Sequence, residues 1–257
     1  MSAVDGDLPL IGSVRAAATY ELVVEQVRRA IYLGRFLPGD KLPPERDLAS
    51  QMGVSRTTIR EAVRVLEGEG LIAVRRGSSG GLVVLGHAQL TPGQVKSYME
   101  TQRVLLDSVF EFRVANECAA AALAAVRRTE SQLRRLSRAV EEMDRLGASP
   151  EAREVTANIA RFGAWDSEFH LAIARAAANP FLLKAVEDGR TAMFLPVGRV
   201  FTRLEDDANA HHAAIFEAIR GRDGAAASAH MRAHIEATRA SLHNLLPRPR
   251  KPAPSPV

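Results

Sequence analysis

Residues 20–85 carry three short amphipathic helical patterns, followed by two apolar segments around a glycine-rich turn. The first pattern begins near Tyr20 and ends at "GRFLPGD", where glycine and proline interrupt it. "LPPERDLASQMG" predicts a second, short helix, and "VSRTTIREAVRVLEGEG" predicts a third with Ser55 as its N-cap. "LIAVRR" and "LVVL" then predict the two strands of a hairpin. Few small folds combine these elements in this order.

The order helix, helix, helix, hairpin is that of a winged helix-turn-helix. Such a fold places the N-terminal residues of its third helix at base edges in the DNA major groove. Arg56 and Arg60 lie one turn apart on the same side of that helix, and arginine can bind guanine through two donors. The alternative is an ordinary amphipathic helix with a solvated polar face. The preceding short helix and the hairpin, whose first strand ends in Arg75-Arg76, favour DNA binding.

The chain after residue 90 contains helical patterns and no convincing strand. We expect helices over Val95–Leu106, Val109–Val126, Ser131–Leu146, Glu151–Ala177, Phe181–Phe201, Glu205–Arg220 and Ala225–Leu246. The predicted fold class is therefore mainly α, with an N-terminal winged helix-turn-helix and a C-terminal all-α helical bundle. The predicted boundaries are a disordered N-terminus over 1–16, a DNA-binding domain over 17–88, a helical domain over 89–246 and a disordered proline-rich tail over 247–257.

Composition argues against a membrane-bound or secreted protein. The longest apolar run, Cys118 to Val126, is too short to span a bilayer, and the acidic N-terminus is unlike a secretory signal. Cys118, the only cysteine, is interpreted as a small buried residue rather than a reactive thiol. We therefore predict a cytoplasmic protein with no membrane partner. Residues 1–90 and 91–246 are each close to neutral, so bulk charge does not identify a DNA-binding domain.

"WDSEFH" places an aspartate and a histidine one turn apart on the apolar side of a predicted helix. Asp166 shares a helical stripe with Phe162, Phe169 and Ile173, where a carboxylate is costly unless it is paired or bound to a metal. From this helix alone, a buried hydrogen bond between Asp166 and His170 is the simpler interpretation.

The last two predicted helices favour a metal site instead. Each brings a histidine toward the same core, because His212 and His234 lie on or beside apolar stripes. One aspartate oxygen and three imidazole nitrogens suit a divalent ion, with zinc preferred and nickel, manganese or iron as alternatives. His211 could replace His212, and His230 is either a near neighbour of the site or a surface residue. The predicted ligands are Asp166, His170, His212 and His234.

The stretch "GRFLPGDKLPPERDLASQMGVSRTTIREAVRVLEGEGLI" resembles the N-terminal signature of the GntR family of bacterial repressors. The resemblance covers roughly residues 20–85. It implies that the helix before the turn, the start of the third helix and the tip of the wing contact double-stranded DNA. The implied DNA-binding residues are Arg46, Ser55, Arg56, Thr57, Thr58, Arg60, Arg76 and Gly77.

The C-terminal half, about residues 95–245, resembles the FadR-type branch of that family, whose helical FCD domain binds effectors. Many members hold a metal with D-x-x-x-H and two later histidines, as in "DSEFH" and "HHAAIFEAIRGRDGAAASAHMRAHI". The resemblance implies that Arg113, in the R-x-x-x-E pattern with Glu117, clamps an effector carboxylate beside the metal. The alternative is a surface ion pair that contributes little. Asn179 is either a helix N-cap only or also a hydrogen-bond donor in the pocket.

The two halves together predict a homodimeric, metabolite-responsive transcriptional repressor rather than an enzyme. Its partners would be a palindromic operator in double-stranded DNA and a small carboxylate effector held by a metal-containing pocket. Two rival interpretations are a metal-dependent hydrolase fused to a DNA-binding domain and a direct metal sensor. Against the hydrolase, no spare carboxylate stands at a spacing that suggests a general base.

Overall fold

The computed structural model describes residues 18–77, 80–85, 92–197, 204 and 209–244, so the predicted disordered segments 1–16 and 247–257 lie outside the described residues. The described elements are α1 (Thr19–Tyr32), α2 (Glu45–Met52), α3 (Arg56–Gly68), β1 (Ile72–Arg75), β2 (Gly81–Val84), α4 (Pro92–Arg127), α5 (Glu130–Leu146), α6 (Pro150–Glu154), α7 (Thr156–Ala176), α8 (Pro180–Val197), α9 (Ala210–Arg220) and α10 (Gly224–Asn244). None of these helices is long and apolar enough to cross a membrane.

The first three helices and the hairpin form a winged helix-turn-helix with a core of its own, as predicted. Gly53 ends α2 in the left-handed region, at φ 66°, and turns the chain toward α3. Strands β1 and β2 pair antiparallel, with Ile72 opposite Val84. Ile59 and Leu66 on the inner face of α3 are buried beneath this hairpin and α1. The polar face of α3 is therefore left toward solvent.

Helix α4 corrects a predicted boundary. We expected two helices, Val95–Leu106 and Val109–Val126, but the structure has one helix of 36 residues. Asp107 and Ser108, the two residues at the expected break, do not interrupt this helix. The hydroxyl of Ser108 donates to the carbonyl of Val104 at 2.9 Å, and Asp107 turns outward to pair with Arg239 of α10. Polar residues without glycine or proline did not end the helix.

The segment predicted as one helix, Glu151–Ala177, is instead two. Val155 adopts an extended conformation, with ψ 114°, between α6 and α7. The side-chain amide of Asn158 donates to the carbonyl of Ala152 at 2.9 Å and satisfies the end of α6. The β-branched pair Val155-Thr156 favours this extended linkage more than a continuous helix.

The C-terminal bundle is built around the alanine-rich second half of α4. Ala120, Ala121, Ala124 and Ala125 are all buried, and such small side chains let neighbouring helices approach closely. Helices α7, α8, α9 and α10 pack against α4, and α5 packs on α7. Cys118 is buried, as predicted. This packing brings the inner faces of α7, α9 and α10 to a shared centre.

The two cores meet at the end of α1. Leu33 packs into the larger, C-terminal core. The next residue, Gly34, has φ +72°, and a Cβ there would lie 2.5 Å from the Cβ of Ala164 on α7. Only glycine fits this close approach. Arg29 of α1 also pairs with Asp188 at 2.8 Å and with Glu187 at 3.2 Å, both on α8.

Candidate functional site

The start of α3 presents a polar surface organised by a helix cap. The hydroxyl of Ser55 accepts a hydrogen bond from the backbone N–H of Thr58 at 3.1 Å, and the two hydroxyls lie 2.8 Å apart. Arg56 and Thr57, the first two helical residues, are exposed. Ser55 and Thr58 thus fix the helix start, while Arg56 and Thr57 extend from it toward solvent.

Two other predicted DNA-binding arginines are held by carboxylates. The Nε of Arg60 lies 3.1 Å from Glu45 Oε2, and the Nε of Arg46 lies 3.2 Å from Asp47 Oδ1. Exposed pairs of this kind contribute little, so a phosphate can replace the carboxylate. The Arg46 side chain is 82% exposed.

The wing residues complete this surface. Arg76 and Gly77 follow β1 and are both exposed. Gly77 has φ 102°, a conformation that disfavours any residue with a side chain. All eight residues predicted to bind DNA are therefore exposed or half-buried, on α2, on the start of α3 and on the wing.

The four predicted metal ligands lie together in the bundle. Their ligand atoms are all within 4.8 Å of one another. The Nε2 of His212 is 2.9 Å from Asp166 Oδ1, and the Nε2 of His170 is 3.2 Å from the Nε2 of His234. Helix α7 supplies Asp166 and His170, while α9 and α10 supply one histidine each. The tertiary packing thus gathers residues that are far apart in sequence.

Burial keeps two of these imidazoles in the form that binds metals. His234 is 7% exposed, and burial, together with the neighbouring His212 and His170, places its pKa well below the usual value. Burial also lowers the pKa of His212, although Asp166 opposes the shift. Both rings are therefore neutral at pH 7 and keep a nitrogen lone pair.

Asp166 is ionised despite its burial. Burial raises the pKa of this carboxyl, but the charge of Arg190 and the neighbouring imidazoles of His170 and His212 lower the pKa by more. The guanidinium of Arg190 donates to Asp166 Oδ2 and, at 3.0 Å, to the hydroxyl of Ser167. Arg190 was not among the sequence predictions. Its only signal was a single cation in the apolar half of a helix, "EDGRTAMF".

A second residue that the sequence did not assign to the metal site orients His170. Glu117 Oε2 lies 2.5 Å from the Nδ1 of His170. This carboxylate favours the tautomer with the proton on Nδ1, whose Nε2 lone pair is free to bind a metal. Glu117 also accepts from the Nε of Arg113 at 2.5 Å. Burial would raise the pKa of Glu117, but Arg113 and His170 hold it far below its usual range. Metal-binding histidines are commonly oriented by such a carboxylate.

The donor set fits a divalent metal. Tetrahedral zinc with bonds of about 2.0–2.1 Å separates its ligand atoms by roughly 3.3–3.4 Å. The distances from His170 Nε2 to His234 Nε2 and to Asp166 Oδ1, 3.2 and 3.5 Å, bracket that value. Two of the distances among the ligand atoms therefore match tetrahedral zinc, and all of them are at most 4.8 Å.

Arg113 is buried beside this cluster. Its side chain is 1% exposed, which excludes the surface ion pair considered from the sequence. One terminal nitrogen lies 2.7 Å from the sulfur of Met193, a weak acceptor. Gly189 of α8 packs on it so tightly that an added Cβ would lie 3.3 Å from Arg113 Cγ. Arg113 and Arg190 thus place two buried guanidinium groups at the candidate metal-binding cluster.

The alternative histidine ligands lie outside the cluster. His211 is half-buried, and its ring centre is 6.0 Å from that of His234. The ring of His212 is closer to His234, at 4.4 Å, and is buried. His230 is exposed. The register predicted for α9, with His212 inward, agrees with this placement.

Asn179 is a helix cap in the structure. Its side-chain oxygen accepts from the backbone N–H groups of Phe181 and Leu182 at 3.0 and 3.2 Å. Arg190 lies eleven residues further along α8, a distance of about 16 Å at 1.5 Å per residue. The structure therefore does not bring Asn179 to the candidate metal-binding cluster.

Known proteins resemble both halves of the chain. Residues 19–81 match the bacterial regulatory proteins of the gntR family, and residues 108–237 match the FCD domain. The Glc operon transcriptional activator of Escherichia coli K12 is 29% identical over 231 residues, which cover 88% of this chain and 89% of that protein. The HTH-type transcriptional regulator LutR of Bacillus subtilis 168 is 31% identical over 214 residues, or 79% and 91% of the two chains.

A solved structure agrees with the fold. E. coli McbR/YncC aligns with a TM-score of 0.53 over 89% of this chain and 99% of that one, at 18% sequence identity. The relatives named above are transcriptional regulators and not enzymes, as predicted for this chain. The chain belongs to the GntR family of DNA-binding transcriptional regulators and carries an FCD domain in its C-terminal half.

Proposed function

We propose that the protein is a homodimeric repressor that binds a palindromic operator and responds to a small organic acid at a metal-containing pocket. The observation that carries this proposal is the buried cluster of Asp166, His170, His212 and His234, flanked by two buried arginines. Because operator binding requires access to the chromosome, we place the protein in the cytoplasm.

The charges around the cluster favour a carboxylate as the effector. Arg113 directs one terminal nitrogen at a thioether, and the Nε of Arg190 has no hydrogen-bond partner among the described residues. A buried guanidinium nitrogen that has a weak acceptor or none is stabilised when an anion accepts its hydrogen bond. A divalent metal bound by the four ligands would offer the same anion a coordination position. A chelating hydroxy acid or sugar acid meets both requirements better than a neutral sugar does.

Helix α8 supplies a route from this pocket to the DNA-binding domain. Arg190 pairs with Asp166, and two or three residues earlier Glu187 and Asp188 pair with Arg29 of α1. An anion that draws Arg190 away from Asp166 would shift α8 and alter the ion pairs to α1. The effector would thereby favour one arrangement of the two domains over another.

Helix α4 offers a surface for the dimer contact. Val104, Leu105 and Phe112 are 81%, 59% and 42% exposed, although all three are large apolar residues. Apolar residues grouped along one helix commonly mark a protein interface. A two-fold dimer would place two copies of α3 on the half-sites of a palindrome.

An operator titration separates this proposal from its rivals. An operator is first selected from random duplexes, and its affinity for the metal-depleted protein is measured by fluorescence anisotropy. Metal is then added alone, followed by a panel of hydroxy and sugar acids. The proposal predicts that operator release requires an acid in addition to metal. Release by metal alone would identify a direct metal sensor, and conversion of the acid to a product would identify an enzyme.

A further inference from the structure

A second candidate site lies between the two domains, away from the metal cluster. A groove of about 690 Å³ is lined by residues 33–35 and Leu37 from the turn after α1, and by one face each of α5 and α7. This volume is within the range of small-molecule sites, which often occur at domain junctions. The close contact of Gly34 with Ala164 lies at the groove and holds its two sides together.

The groove concentrates positive charge. Its lining includes five arginines and a single acid, Glu168. Glu168 pairs with Arg135 at 2.5 Å and with Arg175 at 3.3 Å. No carboxylate in the described part of the chain pairs with Arg134, Arg138 or Arg161. Arg35 lies 3.8 Å from Glu187, so two of the five arginines have acidic partners and three have none among the described residues. The groove therefore carries an excess of positive charge.

An aromatic ring stands among these arginines. Trp165 is half-buried in the lining, and the guanidinium of Arg138 lies 5.5 Å from the centre of its ring. Arginine forks match the oxygens of a phosphate, and an indole face stacks on a nucleobase. Trp165 also packs against the C-terminal core, and a simple anion would contact the arginines alone. A ligand with both a planar ring and phosphates would use all of them.

We propose that this groove binds a nucleoside diphosphate, with its phosphates on Arg134, Arg138 and Arg161 and its base against Trp165. The ligand would touch the end of α1 and the bundle at once, because Arg35 belongs to the same lining. This site goes beyond the proposed acid pocket and does not depend on it. Trp165 precedes Asp166 in sequence, but only Trp165 faces the groove, whereas Asp166 faces the metal cluster.

The test uses the intrinsic fluorescence of Trp165, the only tryptophan in the chain. ADP is titrated into the full-length protein, and adenosine and inorganic phosphate are titrated separately. We expect a saturable change with ADP, a much weaker one with adenosine, and competition from phosphate. His234→Ala should bind ADP as well as the wild type does, which separates this site from any removal of metal by the nucleotide.

Two variants of α5 decide the role of the arginines. Arg134→Ser with Arg138→Ser should weaken ADP binding by about tenfold or more, since charge-assisted hydrogen bonds are lost. Arg145 is an exposed arginine of the same helix outside the groove, so Arg145→Ser should leave the affinity for ADP unchanged. The proposal is overturned if ADP gives no saturable change or binds both variants equally. It is also overturned if random duplex DNA, and not ADP, changes the fluorescence in a manner that the double variant abolishes.

Discussion

Among single residues, the contacts that run from Arg113 through Glu117 to His170 are the most informative. All three side chains are at most 2% exposed, and the charges of Arg113 and Glu117 compensate each other. Glu117 neutralises Arg113 and favours the His170 tautomer with the proton on Nδ1. The proposed metal ligand His170 and the arginine proposed for the effector are thereby joined by one carboxylate. A substitution at Glu117 should consequently alter both metal binding and effector binding.

Glu117→Gln should weaken metal binding by about 10–100-fold although all four ligands remain, because outer partners orient the ligand histidine. Metal affinity is measured by competition with a chromogenic chelator, and circular dichroism verifies folding. Glu111→Gln, an exposed glutamate of the same helix, is the matched control and should bind metal normally. Equal affinities of the two variants would remove Glu117 from the site.

His234→Ala should lose bound metal, as determined by elemental analysis, and added metal should no longer raise its melting temperature. His211→Ala should retain the metal, because its ring lies outside the cluster. Comparing His211→Ala with His212→Ala also tests which of the two histidines of α9 faces the cluster. If His211→Ala empties the site and His212→Ala does not, the assignment of His212 is incorrect.

Among the helices, α8 connects the cluster to the DNA-binding domain through ion pairs. Its middle turn reaches the metal cluster through Arg190 and the DNA-binding domain through Glu187 and Asp188. These contacts lie within four consecutive residues. A small movement of that turn therefore changes both sites together.

Replacing Glu187 by Gln and Asp188 by Asn should uncouple the acid from the operator. The ratio of operator affinities without and with acid should fall by about fivefold, within the usual range of allosteric coupling. Metal content and acid affinity should stay close to wild type, because neither residue touches the cluster. Glu217→Gln on α9 is the control. An unchanged ratio would exclude α8 as the route.

Helix α4 is held to α10 by a pair that depends on pH. Burial raises the pKa of Asp107, but hydrogen bonds from Arg239 and His243 lower it by more. A carboxylate with a lowered pKa stabilises the fold above its unfolded pKa of about 3.9 and loses this contribution as the pH falls further. Asp107→Asn should thus be less stable than wild type at pH 7, by about 0.5–1 kcal/mol for a partly exposed pair.

Urea denaturation at several pH values measures this difference. The difference in the free energy of unfolding between wild type and Asp107→Asn should decrease below about pH 3.9 and disappear at lower pH. Glu111→Gln serves as the control on the same helix. A gap that stays constant down to pH 3 would show that the charge of Asp107 contributes nothing to the contact between α4 and α10.

In the whole molecule, the features that could be predicted were those with local signals. The winged helix-turn-helix follows from turn residues such as Gly53 and from the cap at Ser55, and the four ligands are polar residues on apolar stripes. Glu117 and Arg190 gain their roles only through contacts between distant helices. The continuity of α4 and the break at Val155 were missed because neither involves glycine or proline.

Native mass spectrometry tests the central claim most directly. The protein is incubated with metal and a panel of hydroxy and sugar acids, and then transferred from a volatile buffer. We expect a dimer with one metal ion per chain and a bound acid that is lost when the metal is removed. Arg113→Ala should keep the metal and lose the acid, since its affinity falls by roughly ten- to hundredfold. An acid retained by Arg113→Ala, or bound equally without metal, would contradict the account.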